Sequence, residues 1–296
     1  MRTKPVLFLG YGARVSGWAD RFLDGWDTPI LTSWRGMDLV ADDDPRFFGR
    51  PGSIASKYAN LIVQNCDHLA NVGARLDYPT TGYAPERFAP KAVKTKGELV
   101  FLAPDEWWEQ CREWKAQYPL GPSWVDTISD FAQPEDVIVP SSSGMACDMF
   151  CQRFKVKKGQ RVIFSPGLGS MGFALPQAVG AAFASGRRVV CVEGDGSLQL
   201  NAHALQTIRQ HNLNIKLFIL ENNGYASIRN TQKRFGRFLG CDPSSGMTLP
   251  DTQRILDAYG VEATIIHIDP DTEIRPRLKS TIVDGKIIPG RLEDIE

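Results

Sequence analysis

The chain has 296 residues, 43% hydrophobic and 23% charged, which is typical of a soluble globular protein and excludes a disordered or fibrous one. Lysine plus arginine equal aspartate plus glutamate at 34 each, so the charge gives no reason to expect nucleic acid or an anionic membrane as a partner. No run approaches the length of a membrane span, and the apolar stretch Val6–Leu9 is too short for a signal peptide.

The first part of the chain alternates predicted strands and helices. Strand Val6–Leu9 leads into the glycine turn Gly10-Tyr11-Gly12, and an amphipathic run follows with Trp18, Phe22 and Leu23 as its apolar positions. The further elements predicted here are a strand at 29–32, a helix at 58–64 and a strand at 68–72. Such alternation predicts an α/β fold with a doubly wound parallel sheet.

A proline-, lysine- and glycine-containing stretch from Pro85 to Gly97 interrupts this pattern. The segment Pro104–Tyr118 then predicts a tryptophan-rich helix, with proline at its first turn. Prolines at 119 and 122 would end that helix. We therefore predict two domains, residues 1–118 and residues 119–296.

The second domain repeats the α/β pattern around two polar motifs. Its predicted elements are a strand at 137–139, a glycine-rich segment at 167–172, a helix at 176–184, a strand at 188–193, a helix at 197–211 and a strand at 215–221. Gly194-Asp195-Gly196 follows the strand at 188–193, and Asn222-Asn223 follows the strand at 215–221. Because right-handed crossovers place the carboxyl ends of parallel strands at one edge of a sheet, the two motifs should meet in one crevice.

Oxygen ligands and free N–H groups in that crevice would suit a metal-bound diphosphate. One carboxylate, one amide oxygen and a backbone carbonyl form half of an octahedral shell, which favours Mg²⁺. Gly196 and Ser197 would lie at the amino end of the predicted helix, where N–H groups attract phosphate. Gly194 and Gly196 would let the backbone approach a ligand closely.

The segment "GLGSMGFALPQAVGAAFASGRRVVCVEGDGSLQLNAHALQTIRQHNLNIKLFILENNGYASIRNTQ" resembles the thiamine diphosphate (ThDP) binding domain of the acetolactate synthase-like superfamily. Residues 4–90 resemble its central domain, and the end of the chain resembles its C-terminal tail. "GYASIRNTQ" and "DPSSGMTLPD" look most like family members from bacterial surface-sugar gene clusters. The resemblance implies a ThDP-binding fold preceded by a shortened Rossmann-like central domain.

By this resemblance, Asp195, Asn223 and the Tyr225 carbonyl would hold Mg²⁺. Cofactor-binding residues of the diphosphate half would be Ser143, Gly144, Gly194, Asp195, Gly196, Ser197, Asn223 and Tyr225.

The resemblance also implies residues around the reacting part of the cofactor. Met171 would force the cofactor into a V shape that sets its 4′-amino group against thiazolium C2. The Gly169 carbonyl and the Met171 amide would meet the aminopyrimidine. Ile228 and Gln232 would face the substrate, and Gln232 stands where acetolactate synthases carry a tryptophan that selects the second 2-oxo acid.

Three departures from the family qualify these expectations. Met1 stands where the central domain begins, so the family's pyrimidine-binding domain and its activating glutamate have no counterpart in this sequence. Glu193 and Glu221 flank the cofactor motifs, but they are better explained as structural or locally paired residues than as that glutamate. "FAPKAV" runs directly into "KTKGELV", where acidic FAD ligands would lie, so FAD is not favoured. "AYGVEATIIHIDPDTE" joins two segments that the family separates. The two omissions suggest an engineered, truncated or incompletely represented chain, and the sequence does not distinguish these from a natural one.

Three hypotheses follow. The leading one is a ThDP- and Mg²⁺-dependent carboligase or decarboxylase that uses a 2-oxo acid as donor and an aldehyde, ketone or keto-sugar as acceptor. The second is a ThDP- and Mg²⁺-binding module that is inactive without a pyrimidine-domain partner. The third is an NAD- or FAD-dependent redox domain built on Gly10-Tyr11-Gly12. The resemblance further implies a homodimer or tetramer, or a separate pyrimidine-domain chain.

The six cysteines are scattered without paired CxxC spacing, and the four histidines offer no zinc pattern. Cys147 and Cys151 would share a helix face. We expect reduced cysteines in a cytoplasmic protein.

Overall fold

The structure is a computed structural model and describes residues 3–96, 102–269, 271–272, 275, 277–283 and 286–296. The strands are β1 Pro5–Leu9, β2 Ile30–Thr32, β3 His68–Val72, β4 Val93–Thr95, β5 Val137–Val139, β6 Arg161–Val162, β7 Val189–Gly194, β8 Ile215–Glu221, β9 Ala263–His267, β10 Ser280–Val283 and β11 Lys286–Pro289. The α-helices are α1 Tyr11–Val15, α2 Ala19–Gly25, α3 Lys57–Asn65, α4 Asp105–Gln117, α5 Trp124–Phe131, α6 Gly144–Arg153, α7 Ala174–Ser185, α8 Asp195–Asn201, α9 Ala204–Gln210, α10 Ala226–Lys233 and α11 Thr252–Tyr259.

The chain packs into two units. The first unit contains Met1–Ser123, Cys151–Lys157 and Arg275–Glu296, and the second contains Trp124–Phe150 and Lys158–Ile274. The tail from Arg275 thus packs in the first unit, although the sequence assigned it to the second domain. The division into domains 1–118 and 119–296 stays a prediction.

The first unit holds a parallel sheet in the strand order β2-β1-β3-β4. Helix α4 packs against it with Trp107, Trp108 and Cys111 buried, because these residues fall on one face of the helix. The indole Nε1–H of Trp107 donates a hydrogen bond to the Pro5 carbonyl at 3.0 Å, so the ring is buried without leaving its polar group unsatisfied. Strands β10 and β11 form an antiparallel hairpin.

The second unit holds a five-stranded parallel sheet in the order β6-β5-β7-β8-β9. Its core is built from apolar side chains of β5, β7 and β8 and from helices α7 and α9. From β5 the chain crosses first to β6 on one side and then to β7 on the other. The carboxyl ends of β5 and β7 therefore flank a topological switch point, where open α/β sheets bind ligands.

The predicted α/β class with parallel sheets is confirmed, and predicted strands and helices lie within a few residues of those observed. Two regions differ. The stretch 85–97, predicted to interrupt the α/β pattern, contains β4 of the first sheet. The helix predicted at 197–211 begins earlier, at Asp195, and is divided into α8 and α9. At the division the Leu205 and Gln206 amides donate to carbonyls three residues back, which tightens the turn.

Two further observations bear on the sequence-based expectations. In the portion of the chain given above, no helix has both the length and the hydropathy needed to cross a bilayer. The junction at 97–101, where the resemblance predicts an omitted strand–helix segment, lies outside the described residues, as do residues 270 and 273 of the second predicted junction.

Candidate functional site

A pocket of about 200 Å³ opens at the switch point of the second sheet. Four segments line it: the loop after β5 with the start of α6, the glycine-rich loop before α7, the end of β7 with the start of α8, and the segment from the end of β8 into α10. The lining residues are Ser143, Gly144, Met145, Ala146, Gly169, Met171, Gly194, Asp195, Gly196, Ser197, Leu220, Asn222, Gly224, Tyr225, Ala226, Ser227 and Ile228. The structure thus brings together ten of the twelve predicted site residues.

Asp195 joins the two motifs that the sequence places at this edge. Its Oδ1 accepts a hydrogen bond from the Gly196 amide at 2.8 Å. Its Oδ2 accepts from the Asn222 amide at 3.0 Å and from the Gly224 amide at 3.3 Å. The carboxylate therefore holds the turn after β8 against the turn after β7.

Burial raises the pKa of the Asp195 carboxyl above its usual value, and hydrogen bonds from backbone N–H groups, led by that of Gly196, partly offset this. A bound cation would favour the ionised form of such a carboxylate. Nowhere among the described residues do three histidine, cysteine, aspartate or glutamate side chains gather in a metal-binding arrangement. A metal at Asp195 would consequently need oxygens from amides, carbonyls and a ligand.

The two asparagines after β8 face different surroundings. Asn222 lines the pocket, and its side-chain Oδ1 is buried without a hydrogen-bond partner. Asn223 is exposed, has a left-handed backbone with φ of 59°, and does not line the pocket. An orphaned amide oxygen beside a buried carboxylate fits a hard cation. The assignment of Asn223 as metal ligand stays a prediction.

Tyr225 packs its ring directly against the glycine motif. A Cβ at Gly196 would lie 2.4 Å from the Tyr225 Cε1 atom, so only glycine fits there without movement. The Tyr225 carbonyl accepts the Arg229 amide at 2.9 Å, the first intrahelical bond of α10. We predicted glycine at 196 because a ligand would approach the backbone there. The structure shows that the Tyr225 ring also requires glycine at this position.

The glycine-rich loop and the loop after β5 form the opposite wall. Gly169 and Gly144 adopt left-handed backbones with φ of 64° and 67°. A Cβ on Gly169 would lie 3.4 Å from the Ser142 carbonyl, so the two loops are in contact. Met171 also lines the pocket, as the resemblance implies.

Ile228 and Gln232, both predicted near the substrate, differ in position. Ile228 lines the pocket and is 39% exposed. The Gln232 side chain does not line it: its Nε2 donates to the Leu239 carbonyl at 3.1 Å and its Oε1 accepts the Leu239 amide at 2.8 Å. Gln232 thus fastens the loop after α10, a role that depends on a contact the sequence pattern does not signal.

Glu193 and Glu221 both have partners within the second unit. Glu221 contacts His267 at 2.8 Å. Glu193 is fully buried, and burial raises its pKa to about 6 against hydrogen bonds from Ser141, Gly194, Ala174 and Ser197. Sequence reasoning missed its link to the Ser141 hydroxyl, because that residue lies on a different loop.

The Gly10-Tyr11-Gly12 turn of the first unit uses its N–H groups internally. The Gly10 amide donates to the Val72 carbonyl and the Gly12 amide to the Gly73 carbonyl, each at 2.9 Å. A Cβ at Gly10 would lie 2.1 Å from the Ala74 Cα. These glycines serve the close approach of two loops, whereas a dinucleotide fold leaves such a turn open to the pyrophosphate.

The sequence matches two domain models of one family in chain order. Residues 2–100 match the thiamine pyrophosphate enzyme central domain, and residues 142–288 match the thiamine pyrophosphate enzyme C-terminal TPP binding domain. The chain belongs to the thiamine pyrophosphate enzyme family. The second match includes the residues that line the pocket, so the pocket lies in the TPP-binding domain of this family.

Curated relatives of this thiamine pyrophosphate enzyme chain are acetolactate synthases. The large subunit from Porphyra purpurea is 28% identical over 341 residues, which cover 97% of this chain and 56% of the relative. The isozyme 2 large subunit from Escherichia coli K12 is 29% identical, covering 94% of this chain and 58% of the relative. Acetolactate synthase 1, chloroplastic, from Zea mays is 26% identical, and the alignment covers 94% of this chain and 52% of the relative.

The chain spans about half the length of these relatives. The alignment to the Porphyra protein is 341 residues long, although the whole chain has 296. That relative therefore carries internal residues without a counterpart here, in agreement with the expectation of omitted segments.

Proposed function

We propose that this chain binds ThDP and Mg²⁺ in the switch-point pocket and supplies the diphosphate-binding half of a 2-oxo acid decarboxylating and carboligating site. The observation that carries the proposal is the Asp195 carboxylate joined to the Asn222 turn, with both residues lining one pocket and the Asn222 Oδ1 buried without a hydrogen-bond partner. The matched TPP-binding domain supports the identity of the cofactor. When bound, ThDP supplies an electron sink for a 2-oxo acid.

The chain's own residues would hold and orient that cofactor. Asp195 and an amide oxygen of the Asn222-Asn223 pair would bind Mg²⁺, together with the Tyr225 carbonyl. Gly196 and Ser197 would contact the diphosphate, and Gly169 and Met171 the aminopyrimidine. Ile228 would bound the space for the substrate, a 2-oxo acid such as pyruvate with an aldehyde, ketone or keto-sugar as acceptor.

Calorimetric titration of the chain with ThDP, with and without Mg²⁺, tests cofactor binding. We expect Mg²⁺-dependent binding that Asp195→Ala abolishes and that Asp257→Asn, an exposed aspartate outside the pocket, leaves unchanged. Equal binding by the Asp195→Ala variant would contradict the proposal. Parallel Asn222→Ala and Asn223→Ala titrations identify which amide serves the metal.

Turnover is a separate question, because no residue here aligns with the activating glutamate. We propose that activity requires a pyrimidine-binding domain from a further part of the protein or from another chain, in a homodimer, tetramer or mixed assembly. Native mass measurement with ThDP and Mg²⁺, beside a pyruvate decarboxylation assay, tests this. Full turnover by the isolated chain would overturn it.

A dinucleotide-dependent redox function finds less support. The amides of Gly10 and Gly12 are engaged by the loop after β3, so we expect neither NAD nor FAD to bind this turn. Fluorescence titration with NADH and FAD checks this, and saturable binding of either would contradict it. All six cysteines are buried thiols, which fits the proposed cytoplasmic location.

A further inference from the structure

Glu193 is a buried carboxylate at the centre of the second unit. It is fully shielded from solvent and lies in β7, two residues before Asp195. Its Oε1 accepts the Ser141 hydroxyl at 2.7 Å and the Gly194 amide at 3.1 Å. Its Oε2 accepts the Ala174 amide at 3.2 Å, and the Ser197 hydroxyl adds a further hydrogen bond.

These donors come from three of the four segments that line the pocket. Ser141 begins the loop that continues to Ser143 and Gly144. Ala174 follows the glycine-rich loop that carries Gly169 and Met171 and is the first residue of α7. The Gly194 and Ser197 donors belong to the turn that carries Asp195. One side chain therefore connects these three segments without lining the pocket itself.

A carboxylate suits this position for a chemical reason. Its two oxygens offer about four acceptor sites and no donor, which matches a set of converging N–H and O–H groups. Hydrogen bonds to an ionised acceptor are stronger than neutral ones, and a low-dielectric interior strengthens them further. An apolar residue of similar size would fill the space but would leave these donors unsatisfied.

We infer that Glu193 is a positioning residue for the cofactor pocket: it fixes the spacing of the three loops, so that groups on each can contact one ThDP–Mg²⁺ molecule. The expected effect on ThDP–Mg²⁺ binding rests on the proposed function. The connection between the loops rests on the hydrogen bonds of Glu193 alone. Glu193→Gln places an NH₂ group against one set of donors and breaks at least one of the connections. Ser141→Ala removes a single connection.

Calorimetry with ThDP and Mg²⁺ on the full chain tests the consequence. We expect Glu193→Gln to weaken binding roughly tenfold to a hundredfold, and Ser141→Ala less. Glu262→Gln, an exposed glutamate elsewhere in the unit, should bind like the unmodified chain. The titrations are run well below the unfolding temperature of each variant. A variant with a purely structural defect has a lower unfolding temperature but an unchanged affinity for ThDP–Mg²⁺, which distinguishes it from a variant whose loops are misplaced. Unchanged affinity in a folded Glu193→Gln protein overturns the inference.

Hydrogen exchange followed by mass spectrometry tests the cause independently of any ligand. We expect Glu193→Gln to accelerate exchange in peptides covering 141–146 and 169–174, with strand β8 unaffected. Should the unmodified chain fail to bind ThDP, the proposed function fails, while accelerated exchange would still support the connection. Unaltered exchange in both peptides overturns it. If Glu193→Gln does not fold, the same two measurements on Ser141→Ala decide.

Discussion

The backbone amide of Asn222 donates to the Asp195 Oδ2 atom at 3.0 Å across 27 residues of sequence. This hydrogen bond joins the ends of two adjacent parallel strands, β7 and β8, whose register pairs Gly194 with Leu220. It places Asp195 and Asn222 in the lining of one pocket. A hydrogen bond that holds two turns together in this way lowers the cost of binding a cation and its diphosphate, because it limits the motion that binding would otherwise have to suppress.

Replacing Gly196 by alanine should disturb the pocket through Tyr225. The added Cβ would lie 2.4 Å from the Tyr225 Cε1 atom, so the ring or the turn must move. We expect a loss of about 1–3 kcal/mol in the free energy of unfolding, together with weaker ThDP–Mg²⁺ binding. Gly180→Ala is the matched control, since its Cβ would meet nothing within 4 Å. Urea unfolding that shows no difference between the two variants would contradict the contact.

Removing the Trp107 side chain should destabilise the first unit strongly. The ring is 2% exposed and packs edge-on against Trp114, with centroids 5.9 Å apart. We expect Trp107→Ala to cost about 3–5 kcal/mol, and Trp107→Phe less, chiefly from loss of the hydrogen bond to the Pro5 carbonyl. Trp18→Ala, at a half-exposed position, should change the unfolding free energy little. Comparable losses for Trp18 and Trp107 would show that α4 does not anchor this core.

The ion pair between the buried Arg50 and the partly exposed Asp42 should be costly to break from one side only. The Arg50 Nη2 atom lies 2.8 Å from Asp42 Oδ1, and burial raises the pKa of the Asp42 carboxyl against the opposing effect of Arg50. Arg50→Met leaves a partly desolvated carboxylate without its partner, which we expect to cost about 1–3 kcal/mol at pH 7. Arg21→Met, at an exposed site on α2, is the control.

The pH dependence of this variant follows from the direction of the Asp42 shift. A raised pKa means that the folded state takes up the proton at higher pH than the unfolded state. Stability of Arg50→Met should therefore recover as the pH is lowered from 7 towards the raised pKa of Asp42, because protonation removes the unpaired charge. Urea unfolding at several pH values measures this, and a constant loss across the range would speak against an uncompensated carboxylate.

The ionised Asp242 carboxylate should stabilise the folded state, and this contribution should be lost when acid protonates it. Hydrogen bonds, led by those from Ser244 and Ser245, lower the pKa of this carboxyl from 3.8 to about 2. Because the folded-state pKa is depressed, the contribution is present above pH 4 and is lost as the pH falls from about 4 to about 2. The difference in unfolding midpoint between the unmodified chain and Asp242→Asn should shrink over that interval. A difference that is independent of pH would rule out this linkage.

The local pattern of the sequence was sufficient for many elements and for the location of the pocket. Continuous apolar runs along buried strands and apolar stripes along helices depend on neighbours within a few residues, and they predicted β7, β8, α4 and α7 closely. Crossover handedness then placed Asp195 and Asn222 at one sheet edge without further information.

Other features were decided by contacts between residues distant in sequence. Which of Asn222 and Asn223 lines the pocket depends on the left-handed turn after β8, and Gln232 is drawn to Leu239. The tail from Arg275 packs with the first unit, and Glu193 bonds to Ser141, 52 residues away. Residue type and spacing cannot encode such partners, because a side chain satisfies its hydrogen bonds with whatever group the folded chain brings within about 3 Å. The sequence alone determined the motif and its sheet edge, and tertiary structure decided which side chains face the ligand and which hold the walls in place.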